Sequence, residues 1–99
     1  MTPILGSGPG YLFEFAKIIQ QQILSFGLDE QFSKRLVLQL IGGSMSLANS
    51  SSKSFEELRD NVTSKGGITE RMLEVFSEQD FQKMVELAID EGRKRGKEL

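Results

Sequence analysis

Apolar residues recur along this chain at helical intervals, and no stretch alternates with the short period that a half-buried strand requires. Tyr11, Phe15, Ile19 and Ile23, with Leu12, Ala16 and Phe26, face one way, while Glu14, Lys17, Gln21 and Ser25 mark the opposite side. Pro9 suits the first turn of this helix, because its missing N–H would have no intrahelical partner there, and Gly27 stops it. Phe13, Ile18 and Leu24 widen the apolar arc, so the helix is expected to contact more than one partner. Asp29 is the expected N-cap of a second helix. Its apolar positions (Phe32, Leu36 to Leu38, Leu40, Ile41, Met45, Leu47, Ala48) leave only a polar strip through Lys34, Arg35 and Gln39. A helix this apolar is expected to be buried nearly all round, in part by a second chain. Gly42-Gly43-Ser44 in its middle costs roughly 1 kcal/mol per glycine in helix propensity, and the expected return is close approach to another helix.

Asn49 to Ser52 end that element. Ser54-Phe55-Glu56-Glu57 has the form of a capping box and predicts a short helix through Leu58 and Val62, closed by the turn signal Thr63-Ser64-Lys65-Gly66-Gly67. A fourth helix starts near Ile68-Thr69-Glu70 and carries Met72, Leu73, Val75 and Phe76. Ser77-x-x-Asp80 marks a break and a new cap, and a last helix follows through Phe81, Met84, Val85, Leu87, Ala88 and Ile89 to a charged end, Arg93 to Leu99. The pattern predicts one all-α domain over residues 1–99, a compact bundle of about five helices without internal repeats.

Composition narrows the chemistry. The 99 residues carry 12 basic and 14 acidic side chains, a net charge of -2, and neither Cys nor His. Disulfides, thiolate–zinc sites, a catalytic cysteine and a histidine general base are therefore excluded, and no metal site is expected. The charge balance gives no case for nucleic acid, and the basic run Arg93-Lys94-Arg95 reads as a solvated helix end. The longest uncharged stretch, Leu36 to Ser52, is too short and polar to span a bilayer. No secretory signal pattern is present, and a cytoplasmic protein is expected. What remains for chemistry is backbone amides, hydroxyls, carboxylates and lysines, too little for a complete enzyme.

Two glycine-rich segments could use those groups. Gly6-Ser7-Gly8-Pro9-Gly10 precedes a helix as a phosphate loop would, but no strand comes before it and no Gly-Lys-Ser/Thr follows, so it reads as a flexible lead-in. The segment from Leu58 to Thr69 is denser: one helix ends and another begins around Gly66-Gly67, with hydroxyls at Thr63, Ser64 and Thr69. The free N–H groups of the new helix suit a small anion such as a carboxylate. Equally, the segment could be a plain helix–helix turn that Thr69 caps.

The same residues carry a family resemblance. Gly6-Ser7-Gly8-Pro9 before an aromatic-rich helix resembles the start of the C-terminal domain of pyrroline-5-carboxylate reductases. Leu58-Arg59-Asp60-Asn61-Val62-Thr63-Ser64-Lys65-Gly66-Gly67-Ile68-Thr69 resembles that family's signature, in which a Ser-Pro-Gly-Gly turn is followed by Thr. The helix order, the Gly27-Leu28 break and the closing Lys97-Glu98-Leu99 fit as well, so the resemblance spans the chain. It implies an all-helical domain forming an intertwined homodimer, with larger rings of dimers, beside a separate N-terminal Rossmann domain that holds NAD(P)H and is absent from these residues. By the resemblance, Thr69 is the catalytic-site residue, its hydroxyl reaching the ring nitrogen of L-proline or 1-pyrroline-5-carboxylate. Ile68 and Thr69 hold this molecule, and the amides of Gly67, Ile68 and Thr69 receive its carboxylate. Ser64 and Gly66 line the site, and Asn61 touches the nicotinamide cofactor. The chain departs from the pattern at Lys65, where the family has Pro and a looser turn is expected, at Leu5 and Gly10, and at Ser77-Glu78-Gln79-Asp80, where a glycine turn is usual. The implied function is substrate binding and dimerisation within a proline-forming reductase, the chain alone being inactive. A stand-alone helical interaction module without a substrate is the alternative.

Overall fold

The computed structural model describes the backbone of residues 2–98 and the side chains of residues 4–96. Of the Lys97-Glu98-Leu99 end, the side chains lie outside the described residues, as does the backbone of Leu99. Five α-helices follow a π-helical turn at Thr2–Gly6: α1 (Gly8–Leu24), α2 (Glu30–Asn49), α3 (Phe55–Asn61), α4 (Ile68–Glu78) and α5 (Phe81–Glu98). No strand occurs among the described residues, in keeping with the all-α expectation. The chain divides into two units, Gly8–Lys53 and a second made of residues 1–7 with 54–99.

In the first unit α1 packs on α2. Gly27, at φ +89, lets the chain leave α1 in a left-handed conformation that glycine adopts without steric cost. Asp29 then caps α2, its carboxylate accepting from the Phe32 N–H at 2.8 Å. The two helices are clasped by polar groups: Gln20 Nε2 donates to Ser33 Oγ at 3.1 Å and to the Glu30 carbonyl at 3.3 Å. Ser33 Oγ itself donates to the Glu30 carbonyl at 2.8 Å. Ser33 is fully buried, and this bonding satisfies its hydroxyl. Beside it Val37, 6% exposed, is the buried apolar side chain of the described residues.

The glycine-rich lead-in takes regular form: Thr2–Gly6 makes the π turn, and α1 opens at Gly8 with Pro9 in its first turn, as expected. Within one chain α2 is only partly covered. Leu38, Leu40, Met45 and Leu47 are all more than half exposed, because α1 covers only the face that carries Ser33 and Val37. α2 runs unbroken through Gly42 and Gly43, and a Cβ added at either glycine would meet nothing within 4 Å.

In the second unit the π turn and α4 both pack on α5. Phe76 and Phe81 hold the α4–α5 corner, ring centroids 5.0 Å apart and tilted by 34°, a favourable aromatic arrangement. The corner itself is Asp80, at φ +56 directly after the last turn of α4, where a glycine is the common solution. Its N–H donates to the Ser77 carbonyl at 3.1 Å, and its own carbonyl accepts from the Met84 N–H at 2.9 Å, so α5 starts without a gap. Farther along α5, Arg93 and Lys94 reach Asp90 at 2.7 and 3.4 Å, which accounts for much of the basic run within the helix. These partners, Arg93 foremost, hold the Asp90 carboxyl below its ordinary range.

The capping box at Ser54 forms as the sequence predicts. Ser54 Oγ accepts from the Glu57 N–H at 3.1 Å, and Glu57 Oε1 accepts from the Ser54 N–H at 3.0 Å. These bonds, the backbone one foremost, hold the Glu57 carboxyl below its ordinary value of 4.5. A depressed carboxylate contributes stability that is complete above the unfolded value and is lost as pH falls through the folded one. Ser54→Ala is therefore expected to lower stability by about 1 kcal/mol at neutral pH, while Glu57→Gln flattens the acid side of the stability profile. Urea unfolding followed by far-UV circular dichroism across the acid range checks both, and an unchanged acid limb in Glu57→Gln would remove the box from the account.

Candidate functional site

The segment from Asn61 to Glu70 joins α3 to α4, and its backbone is almost fully accounted for. α3 ends at Asn61, which is exposed and makes no side-chain bond to the turn that follows. The Thr63 hydroxyl donates back to the Arg59 carbonyl at 2.6 Å and so closes the end of α3. A β-turn then spans Ser64 to Gly67, the Gly67 N–H donating to the Ser64 carbonyl at 2.9 Å. Only Gly66 within it has positive φ, at +74, so the turn is type II, with Lys65 at its second position and Gly66 at its third.

The two glycines serve different ends. Gly66 supplies the left-handed conformation. Gly67 supplies room: a Cβ there would lie 3.1 Å from the Ser64 carbonyl oxygen and 3.3 Å from its Cβ. Gly67 is also the N-cap of α4, and having no side chain it makes no capping bond. Thr69 sits inside the helix at its second position, so the plain capping role left open for it is not what the structure shows. Its residue is half-buried, and among the described residues no hydrogen bond occupies its hydroxyl.

The free donors follow from this arrangement. The first N–H groups of any α-helix lack intrahelical partners. In α3 the Ser54 hydroxyl takes one of them. In α4 no side chain does, and Ile68 and Thr69 present unbonded amides at the positive end of the helix dipole. Of the three amides expected to receive a carboxylate, that of Gly67 is already committed to Ser64, which leaves these two. Beside them the Ile68 side chain is 82% exposed, an apolar surface uncovered in the single chain. A groove along α4 and α5, lined in part by Arg59, Phe81 and Glu86, includes Glu70 but none of Asn61, Ser64, Ile68 and Thr69. The candidate residues thus form an exposed, donor-rich turn in one chain.

Sequence reasoning passed over Glu70. Its Oε1 accepts from the Gly66 N–H at 2.9 Å, folding the carboxylate back over the turn. An acidic residue three positions after the N-cap, as in the Ser54 box, was the available signal.

Because a type II turn favours proline at its second position, Lys65→Pro is expected to raise stability by about 0.4–1 kcal/mol. Gly66→Ala should lower it by about 1 kcal/mol or more through its positive φ. Chemical denaturation of the variants checks both signs, and a stabilised Gly66→Ala would contradict the turn assignment.

Comparison with known proteins gives this turn its context. The family model described as pyrroline-5-carboxylate reductase dimerisation matches residues 1–99. Pyrroline-5-carboxylate reductase 2 of Bacillus subtilis is 33% identical over 99 residues, which are 100% of this chain and 36% of the relative. The Haemophilus influenzae pyrroline-5-carboxylate reductase is 32% identical over 100 residues, 37% of its length. The crystal structure of Plasmodium falciparum pyrroline carboxylate reductase with NADP bound superposes with a TM-score of 0.89 at 33% identity, over 95% of this chain and 36% of that one. The chain therefore spans about a third of the length of the relatives it matches. On the full-length match, the chain belongs to the pyrroline-5-carboxylate reductase dimerisation family.

Proposed function

We propose that this chain serves as the dimer-forming and substrate-holding part of a cytoplasmic reductase of proline biosynthesis, which converts 1-pyrroline-5-carboxylate to L-proline with NAD(P)H. The observation that carries the reading is the glycine-capped start of α4, with unbonded amides at Ile68 and Thr69 and a free Thr69 hydroxyl, in a chain of this family. These amides neutralise the substrate carboxylate, and the hydroxyl orients the ring nitrogen. Catalysis by preorganised donors and by positioning needs no titrating base, which suits a chain without His or Cys.

The residues here do not fit the dinucleotide itself. A phosphate cradle needs a glycine turn between strand and helix, whereas Gly8 and Gly10 lie within α1 and no strand occurs among the described residues. When bound, NAD(P)H would supply the hydride to the C=N bond and would be held chiefly by protein outside these residues, with Asn61 reaching the nicotinamide. The interaction-module alternative is not favoured, since the relatives matched over the whole chain are named as reductases.

The homodimer reading rests on exposed apolar surface. Apolar side chains on α1 and α2 stand exposed, Phe13, Leu38 and Leu47 among them. No helix among the described residues is long and apolar enough to cross a membrane, so a second copy is the proposed cover, with rings of dimers as the larger assembly.

A chimera in which these residues replace the matching third of the Bacillus subtilis relative is expected to reduce 1-pyrroline-5-carboxylate. Thr69→Ala should lower its kcat/KM by about 10- to 100-fold, the range for losing a hydrogen bond to a charged group, without changing its oligomeric mass. The chain by itself should not oxidise NADPH. Unchanged kinetics in Thr69→Ala would overturn the substrate role. Separately, light scattering of the chain should give twice the 11.1 kDa monomer mass, and Gly43→Leu should shift it towards monomer with helicity retained. A monomer at all concentrations would overturn the dimer.

A further inference from the structure

The two helix starts of the second unit use the same residue type in different ways. In α3, Glu57 turns back to the N–H of its own N-cap, Ser54, at 3.0 Å. Glu70 holds the equivalent place in α4, three residues after the N-cap Gly67. It cannot make the same bond, because the Gly67 N–H is closed onto the Ser64 carbonyl at 2.9 Å. The Glu70 carboxylate reaches one residue farther, to the Gly66 N–H at 2.9 Å. One side chain of the first helical turn is thereby tied to the one residue of the β-turn with positive φ, and the unbonded amides of Ile68 and Thr69 lie between the tied ends.

We propose that Glu70 is the positioning residue of the carboxylate-binding turn: its carboxylate clamps Gly66 to the first turn of α4 and so fixes the direction of the Ile68 and Thr69 N–H groups. The inference rests on the reading of that turn given above. A clamp is needed here because the usual means of ordering a helix start is missing. Gly67 has no side chain with which to cap, and Ser or Asp in its place would bring a Cβ to 3.1 Å from the Ser64 carbonyl and an oxygen into competition for the open amides. Glu70 orders the turn from the far side and leaves those amides free.

Charge and clamp act in opposite directions, which separates them. A carboxylate near an anion site repels the anion, so if Glu70 acted only through its charge, Glu70→Ala and Glu70→Gln would both tighten substrate binding. If it acts as a clamp, Glu70→Ala loosens the turn, whereas Glu70→Gln keeps an acceptor for the Gly66 N–H and rescues it.

Backbone ¹⁵N relaxation of the chain and kinetics of the chimera test this together. The expected result is that Gly66 and Gly67 are as ordered as α4, near an order parameter of about 0.85, and fall towards about 0.6 in Glu70→Ala but not in Glu70→Gln. In the chimera, Glu70→Ala should raise KM for 1-pyrroline-5-carboxylate about three- to tenfold with a smaller change in kcat. Glu70→Gln should return KM to the parent value or below it. Unchanged order at Gly66 in Glu70→Ala, or equal KM shifts in the two variants, would overturn the inference while leaving the carboxylate reading in place. Unchanged kinetics in Thr69→Ala would instead overturn the carboxylate reading, whatever the Gly66 relaxation shows.

Discussion

Everything in this chain depends on apolar surface that its own helices leave uncovered. α1 and α2 meet around a buried serine and a buried valine, and Leu38, Leu40 and Leu47 of α2 face outward. Burial of apolar area is the main favourable term in folding, so exposed leucines of this kind favour a covering partner. The glycines of α2 point the same way. Gly42 and Gly43 lower the helix propensity of an otherwise strong segment and gain no contact in return within the chain. Such positions are worth their cost where another backbone comes close, and the family to which the chain belongs is defined by dimerisation.

The candidate site follows a different logic, that of backbone donors left open. α3 and α4 begin within fourteen residues of each other in sequence, from Phe55 to Ile68, and differ at the N-cap. Serine at residue 54 closes its own helix, whereas glycine at residue 67 leaves α4 open. A Ser64–Gly67 turn of type II favours glycine twice over, once for φ at Gly66 and once for space at Gly67. The same geometry that satisfies the turn therefore exposes the helix start and leaves the Ile68 and Thr69 amides unbonded.

How much of this could be read from the residues depended on how local the controlling interaction was. The Asp29 cap, the Ser54 box, the Gly27 stop and the Gly66–Gly67 turn are each set by a few neighbouring residues, and each formed where expected. For α2, hydrophobic spacing reports which positions seek burial and not how much of it the same chain provides. The π turn at Thr2–Gly6 carried no signal among the glycines, whereas Pro9 marked the first turn of α1. Thr69 could have been a cap by residue type, but the turn placed the cap at Gly67, two residues earlier. The reach of Glu70 to Gly66 was not legible, since it exists only because the Gly67 N–H had already been taken.

The two departures from the family pattern that fall at corners become intelligible in the same backbone terms. Lys65 occupies the second position of a type II turn, which needs an ordinary negative φ that proline favours and lysine can adopt, and the turn closes at 2.9 Å with lysine in place. Asp80 takes a left-handed φ that glycine adopts freely and that Asp tolerates better than most residues. Neither substitution removes a donor at the start of α4 or fills the space beside Ser64. Both therefore act on the cost of ordering a corner. The glycines at 66 and 67 are different in kind, because a side chain at either one would alter where the Ile68 and Thr69 amides point.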